Sequence, residues 1–278
     1  MIAVDLHKMH LYYTGHGEPA VILEAPQTGL SATWWPVQKA VSRFAKVCSY
    51  DRAGFGWSEP GPLPRTSERI AFELRSLLAQ AGVPPPYVLV GASAGGFPVR
   101  IFADRFPAEV AGVVLVDSSD PDAERLGAPR NPAQGVQKWE ILLPLMHQFG
   151  ALRLGLRLEV PRPPSFSPDA WDELLYLRER MNSWGALLRE GEAWVESADQ
   201  VRKCADLGTR PLLVLSGSRD ADAAWRAAWV DGLQAEMAHL SSRGRQVVLS
   251  NSGHGIQFDA PDAVANAIHE ICNAVHAD

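Results

Sequence analysis

A serine stands between small residues in the run Gly91-Ala92-Ser93-Ala94-Gly95, which has G-x-S-x-G spacing. The apolar segment Tyr87 to Val90 precedes this run, and a helix-competent segment follows it. A sharp strand-to-helix turn would expose the Ser93 hydroxyl at the end of a sheet, and small flanking residues would let strand and helix pass closely. The spacing therefore predicts a nucleophilic serine.

A serine hydroxyl is a weak nucleophile unless a base takes its proton, so a histidine must lie within hydrogen-bond reach. Of the eight histidines, His254 is favoured because it follows the predicted strand Gln246 to Leu249 in a short, glycine-flanked loop. A carboxylate must then hold the imidazole in the correct tautomer. The segment Pro211 to Leu215 leads into Gly217-Ser218-Arg219-Asp220, and this spacing favours Asp220 as the acid.

Two other carboxylates compete for the same role. Asp117 directly follows the apolar segment Val113 to Val116, and Asp222 lies two residues beyond Asp220. Because the carboxyl ends of parallel strands meet at one edge of a sheet, each of these side chains could reach the histidine. The sequence leaves Asp117 and Asp222 open as alternatives to Asp220.

Short apolar runs alternate with helical patterns along much of the chain, which is typical of a parallel sheet covered by helices. Several of the runs are apolar at consecutive positions, so both faces of those strands must be covered. Strands are predicted at 2–6, 9–14, 20–25, 46–50, 87–90, 110–116, 211–215 and 246–249, and helices at 35–44, 65–81, after the serine turn to 106, and from 261 onward.

The segment from 120 to 207 departs from this rhythm. It contains no convincing strand and has helical patterns at about 133–149, 168–188 and 191–205. We interpret it as a helical cap inserted between two strands, so that 1–119 and 208–278 form one core domain. Four tryptophans of this cap either line an apolar substrate pocket or pack the cap against the sheet: Trp139, Trp171, Trp184 and Trp194.

Composition excludes several classes of protein. The chain has 278 residues, of which 46% are hydrophobic and 21% charged, and its net charge is −6. This balance argues against nucleic-acid binding, which needs a basic face to neutralise phosphates. The apolar runs are far shorter than the ~20 residues that span a bilayer, so no membrane span is expected. The first ten residues lack an apolar signal core, and a cytoplasmic location is therefore expected.

Metal and disulfide sites have little support in the sequence. The three cysteines are an odd number and lack C-x-x-C spacing, which argues against a disulfide framework or a cysteine zinc site. Neither a His-x-His nor an H-E-x-x-H pattern occurs. We expect no metal and no cofactor.

Together these features resemble the α/β-hydrolase superfamily over nearly the whole chain. The order Ser93, Asp220, His254 is that of the superfamily. The segment Tyr50-Asp51-Arg52-Ala53-Gly54-Phe55-Gly56-Trp57-Ser58 is similar to its D-x-x-G-x-G-x-S loop, and 120–207 has the position of its variable cap. The resemblance implies an α/β fold: a mostly parallel α/β-hydrolase sheet with helices on both faces and an inserted helical cap.

The resemblance also implies where an oxyanion would bind. The superfamily places its first oxyanion donor in the loop after the third strand, which here reads Glu24-Ala25-Pro26-Gln27-Thr28. Proline has no N–H, so Gln27 is expected to donate in place of Pro26, with the Ala94 N–H as the second donor. Glu24 is expected to bond loop amides and not to take part in catalysis.

The function implied is hydrolysis of small-molecule carboxylic esters with short to medium acyl chains through an acyl-enzyme. Hydrolysis of amides, lactones or carbon–carbon bonds, or perhydrolase activity, remains open on the same site. The alternative from another class is a hydrolase-fold protein that binds a small ligand without catalysis. The elbow carries serine and not aspartate, which disfavours haloalkane dehalogenase and epoxide hydrolase activities of the usual kind. No oligomeric state is predicted.

Overall fold

The computed structural model describes residues 1–128, 147–148, 161–219 and 224–276. Seven strands form one sheet in the order β3-β5-β4-β6-β7-β8-β9, and β1 and β2 form a separate antiparallel hairpin. The strands are β1 (Ile2–Val4), β2 (His7–Met9), β3 (Leu11–Thr14), β4 (Ala20–Glu24), β5 (Val47–Tyr50), β6 (Tyr87–Ala92), β7 (Val110–Val116), β8 (Leu212–Gly217) and β9 (Gly244–Leu249). Only the β3–β5 pair of the large sheet is antiparallel, so the predicted mostly parallel sheet is confirmed.

Helices cover both faces of this sheet. They are α1 (Trp35–Val41), α2 (Ser67–Gln80), α3 (Gly96–Arg105), α4 (Pro168–Glu179), α5 (Met181–Glu192), α6 (Trp194–Val201), α7 (Ala224–Ala228), α8 (Ala235–Ala238), α9 (Ile256–Asp259) and α10 (Pro261–His276). A π-helix, Trp229–Gln234, connects α7 to α8. Within the described ranges, none of these helices is long and apolar enough to cross a membrane.

Alternation along the central strand distributes its side chains between the two layers. Leu89 packs in the cluster that contains the apolar faces of α2 and α3, whereas Val88 and Val90 pack in the cluster that contains those of α1 and α10. Every residue of β6 is buried. This burial on both faces explains why the strand is apolar at consecutive positions.

The described part of the segment between β7 and β8 is helical, with α4, α5 and α6 in place of the two helices predicted at 168–188 and 191–205. The predicted helix over 168–188 is interrupted at Arg180, which has extended backbone angles (φ −62°, ψ 136°) and separates α4 from α5. The Ser183 hydroxyl donates to the Leu177 carbonyl at 2.9 Å and so satisfies a carbonyl in the last turn of α4. The helix predicted at 133–149 lies outside the described residues except at 147–148, and the boundaries at 120 and 207 stay a prediction.

The carboxyl ends of the parallel strands lie side by side. In the sheet register, Glu24 of β4 pairs with Gly91 of β6, and Ala92 of β6 pairs with Val116 of β7. Val116 in turn pairs with Leu215 of β8. The residues that follow these strands therefore meet at one edge, where ligands bind in open α/β sheets.

Candidate active site

Ser93 lies at a tight turn between β6 and α3. Its φ is +50°, in the left-handed region that residues other than glycine rarely adopt. Such backbone strain is typical of functional turns. The turn also requires small neighbours. A Cβ on Gly91 would lie 2.7 Å from the Gly95 carbonyl oxygen, and one on Gly95 would lie 2.5 Å from the Ala25 carbonyl oxygen. The strand, turn and helix predicted around Ser93 are confirmed.

His254 lies beside this serine. Its Nε2 is 2.9 Å from the Ser93 Oγ, and its side chain is 60% exposed. Asp259 holds the histidine loop because its Oδ2 accepts from the Gly253 N–H at 3.0 Å and from the Arg219 guanidinium at 2.9 Å. The structure thus brings the predicted serine and histidine together at hydrogen-bond distance.

The other ring nitrogen of His254 contacts Asp117, the first of the two alternatives to Asp220. Its Nδ1 is 2.5 Å from the Asp117 Oδ2, and Asp117 is fully buried at the end of β7. The φ of Asp117 is +41°, so the backbone directly after β7 is left-handed. In this conformation the carboxylate contacts the His254 ring. Asp220 and the second alternative, Asp222, lie outside the described residues. The contact with the histidine that the structure describes is therefore made by Asp117, and the role of Asp220 stays a prediction.

A buried arginine that the sequence analysis did not single out holds the same carboxylate. Arg226 of α7 donates to the Asp117 Oδ1 at 2.9 Å and to its Oδ2 at 3.1 Å, and it also donates to the Gly217 carbonyl. The Gly217 N–H lies 3.4 Å from the Oδ1. A planar guanidinium that binds both oxygens fixes the carboxylate plane, and it compensates the cost of burying the charge.

Both predicted oxyanion donors lie at this site. Gln27 and Ala94 line the same cavity as Ser93 and His254. Ala94 is the second residue of the turn that leads into α3, where backbone N–H groups have no partner within the helix. The placement is consistent with the two donors, whose role stays a prediction.

The cavity above Ser93 has a volume of about 370 Å³ and tryptophan walls. Trp194 of α6 lines it together with Trp225 and Trp229, whose rings stack with centroids 5.4 Å apart. Of the four cap tryptophans, Trp194 thus fits the pocket interpretation, whereas Trp171 packs in a cluster with Phe166 and other apolar side chains. Trp184 does not line this cavity, and Trp139 lies outside the described residues.

The sequence analysis missed Trp225 and Trp229, although a signal was present. Two tryptophans four residues apart fall on one face of a helix, and they follow a strand that ends at the catalytic edge. Asp120 adds a carboxyl group to the same cavity, and burial raises the pKa of this group above its usual range. The cavity therefore combines large apolar rings with few polar groups, as small-molecule sites do.

The three free cysteines offer a different nucleophile, and their surroundings disfavour it. Burial raises the pKa of the Cys48 thiol to about 12, and of the Cys204 and Cys272 thiols to about 11. Thiols with raised pKa values carry little reactive thiolate at neutral pH. No group of three histidine, cysteine, aspartate or glutamate side chains in the described ranges could hold a metal ion.

Iodoacetamide at neutral pH is accordingly expected to leave hydrolytic activity unchanged, because the thiolate is the reactive form and these thiols stay protonated. The measurement follows activity and mass over time in the native protein, with the denatured protein as the control that should take up three labels. Rapid loss of activity with one label on the native chain would contradict this expectation.

Comparison with known proteins places these features in context. Residues 16–267 match the family model described as the alpha/beta hydrolase family. The chain is 27% identical to the protein YqjL of Bacillus subtilis (strain 168), over 92% of this chain and 85% of that protein. It is 25% identical to the probable transporter efuK of Hormonema carpetanum, over 96% of this chain but only 42% of that protein. The chain thus spans less than half the length of this second relative.

Solved structures extend the likeness to the fold. A thermophilic esterase from Thermogutta terrifontis has a TM-score of 0.69 and 22% identity, over 97% of this chain and 94% of that one. Structures of epoxide hydrolases also have this fold. A shared fold does not determine the reaction that a protein catalyses. The reaction must therefore be inferred from the residues at the sheet edge.

Proposed function

Because the chain belongs to the alpha/beta hydrolase family, we propose that it is a serine hydrolase that cleaves carboxylic esters of small molecules. The observation that carries the proposal is the series of contacts from the Ser93 Oγ to the His254 Nε2, and from the His254 Nδ1 to Asp117. Such a series lets the imidazole take the serine proton while the carboxylate stabilises the cation that forms.

In the first half of the reaction, the Ser93 Oγ attacks the ester carbonyl carbon as its proton moves to the His254 Nε2. The carbonyl oxygen gains the negative charge, and we assign its stabilisation to the N–H groups of Ala94 and Gln27. Each such donor contributes about 3 kcal/mol in comparable enzymes. The carbon–oxygen bond to the alcohol then breaks, and the alcohol leaves with the proton from His254, so that Ser93 carries the acyl group.

In the second half, a water molecule gives a proton to the His254 Nε2 and attacks the acyl carbon. A second tetrahedral intermediate forms and collapses, the acid is released, and the proton returns to the Ser93 Oγ. Asp117 keeps the ring in the tautomer that has its free nitrogen facing the serine. Arg226 supports this role because it fixes both carboxylate oxygens.

The serine argues against the epoxide hydrolase reaction that proteins of the same fold carry out. Opening an epoxide through an aspartyl ester requires a carboxylate at the elbow, and this position holds Ser93. Amides, lactones and carbon–carbon bonds next to a ketone stay open to the same nucleophile, since each of these substrates has a carbonyl carbon that serine can attack.

A panel of p-nitrophenyl esters tests the proposal and the size of its substrate. We expect kcat/KM for the butyrate ester to exceed that for the palmitate ester by about tenfold or more, because the cavity is near the small end of the range for ligand sites. The panel should include an aminoacyl amide, a lactone and styrene oxide. Turnover of the epoxide alone, or faster cleavage of palmitate than butyrate, would contradict the proposal or the expected chain length, respectively.

A further inference from the structure

A buried charge cluster lies beneath the loop that carries Gln27. Its centre is Arg52, which is 2% exposed and binds Glu190 of α5 through two hydrogen bonds of 3.0 and 2.9 Å. The same guanidinium donates to Glu24 at 2.8 Å. The cluster therefore connects a helix of the inserted segment to the carboxyl end of β4.

The same arginine also donates to the backbone of this loop. Its Nη1 is 2.8 Å from the Ala25 carbonyl oxygen, and its Nη2 is 2.8 Å from the Pro26 carbonyl oxygen. A planar guanidinium with five N–H groups in a fixed fork can hold two carboxylates and two carbonyls at once. Rotation of the Arg52 side chain would therefore change the position of the loop.

The hydrogen bond to Pro26 fixes the direction of the Gln27 N–H. The Pro26 carbonyl and the Gln27 N–H belong to one planar trans peptide and point in opposite directions. Arg52 and the Gly29 N–H, at 2.9 Å, both donate to the Pro26 oxygen, so the Gln27 N–H must face away from them. A small cavity of about 20 Å³ borders Gln27, Ala94, Arg52 and Glu190 together, which places the cluster directly behind the proposed oxyanion donors.

The attraction between Arg52 and the two glutamates opposes the cost of removing their charges from water. Burial raises the pKa of the Glu24 and Glu190 carboxyls, and the Arg52 charge opposes this in both. Burial alone would lower the pKa of Arg52, but the two glutamates raise it overall. Buried ion pairs add little to stability compared with apolar packing, so the distinctive property of this cluster is the geometry it imposes.

We propose that Glu190 is a positioning residue for the oxyanion loop: through Arg52, it holds the Pro26 carbonyl in place and so directs the Gln27 N–H toward the oxyanion. This inference rests on the proposed function. If Glu190 has this role, α5 helps to position the groups that bind the transition state.

Glu190→Gln tests this role because it removes the charge and leaves the side-chain shape. We expect kcat for p-nitrophenyl butyrate to fall by about tenfold, less than the 10²–10³-fold that follows complete loss of one donor. KM should stay within about twofold, because the interaction lost is made only in the transition state. The inhibition constant of butaneboronic acid, which forms a tetrahedral adduct with serine, should rise by a factor similar to the fall in kcat.

The matched control is Glu192→Gln on the same helix. Glu192 pairs with Arg189 at the surface, where both side chains are more than a third exposed, so its loss should leave kcat and the boronate constant unchanged. Glu190→Asp guards against unfolding because it keeps the charge on a shorter side chain. Its kcat should fall between those of the wild type and Glu190→Gln.

The outcomes separate this inference from the proposed function. An unchanged kcat in the folded Glu190 variants, or a rise in KM alone, would overturn the positioning role while ester hydrolysis through Ser93 stands. Should Glu190→Gln fail to fold, an unchanged kcat and boronate constant for Glu190→Asp would overturn it equally. Hydrolysis that persists when Ser93 is replaced would instead refute the proposed function.

Discussion

Ser93→Ala is expected to lower kcat for p-nitrophenyl butyrate by about 10³-fold or more, because no acyl-enzyme can form without the Oγ. A fluorophosphonate probe should label the wild-type protein and leave this variant unlabelled. The melting temperature should change little, since within the described ranges the lost hydroxyl bonds to the exposed His254 ring, and serine and alanine are similarly strained at the φ of +50°.

Ser242→Ala is the matched control for this substitution. Ser242 is exposed and precedes β9, whereas His254 follows the other end of that strand, and the Ser242 hydroxyl donates to the Gly208 carbonyl. Its removal should alter neither labelling nor turnover. A folded Ser93→Ala variant that keeps a tenth of wild-type turnover would refute the nucleophile. A wild-type protein that stays unlabelled would favour the ligand-binding alternative.

Local sequence predicted the parts of the site that depend on local geometry. The turn at Ser93 needs small residues within two positions on either side, and that requirement is visible in five consecutive letters. His254 likewise lies in the short loop after its strand and has glycines on both sides. The strand and helix pattern predicted the sheet for the same reason, since burial on both faces leaves continuous apolar runs.

The partner of His254 could not be chosen in this way. The G-x-x-D spacing after β8 describes a turn, but the contact that the histidine makes is with Asp117, 137 residues away in sequence. Two strand ends at one edge offer equivalent positions, and the choice depends on the left-handed turn at Asp117 and on the position of Arg226. Neither has a sequence pattern of its own.

The charge cluster at Arg52 shows the same limit. Glu24 is expected from the sequence to bond loop amides, but its carboxylate accepts from the Tyr50 hydroxyl and from Arg52. Arg52 lies in a motif that the sequence analysis identified, yet its second carboxylate partner comes from Glu190, 138 residues away. Long-range ion pairs of this kind are decided by packing, which local patterns do not encode.

Asp117→Asn is the second large effect that we expect. An asparagine can donate to the His254 Nδ1 and so favours the wrong imidazole tautomer, a loss of about 10⁴-fold in the serine protease precedent. The acid contributes differently in different folds, so we expect a fall in kcat of about a hundredfold or more, measured with p-nitrophenyl butyrate. Asp220→Asn, at the position that the sequence spacing favoured, should lower kcat by less than about tenfold.

Folding must be separated from chemistry in this comparison, because Asp117→Asn leaves the buried guanidinium of Arg226 beside a neutral amide. Removing one partner of a buried ion pair typically costs about 3–5 kcal/mol. The double variant Asp117→Asn, Arg226→Gln removes both charges, so it should recover part of the lost melting temperature while kcat stays as low as in the single variant. Asp220→Asn alone could instead give the large fall in kcat in a folded protein. Asp220, which comes after β8 in the sequence, would then be the catalytic acid, and the contact between His254 and Asp117 would not be the one used in catalysis.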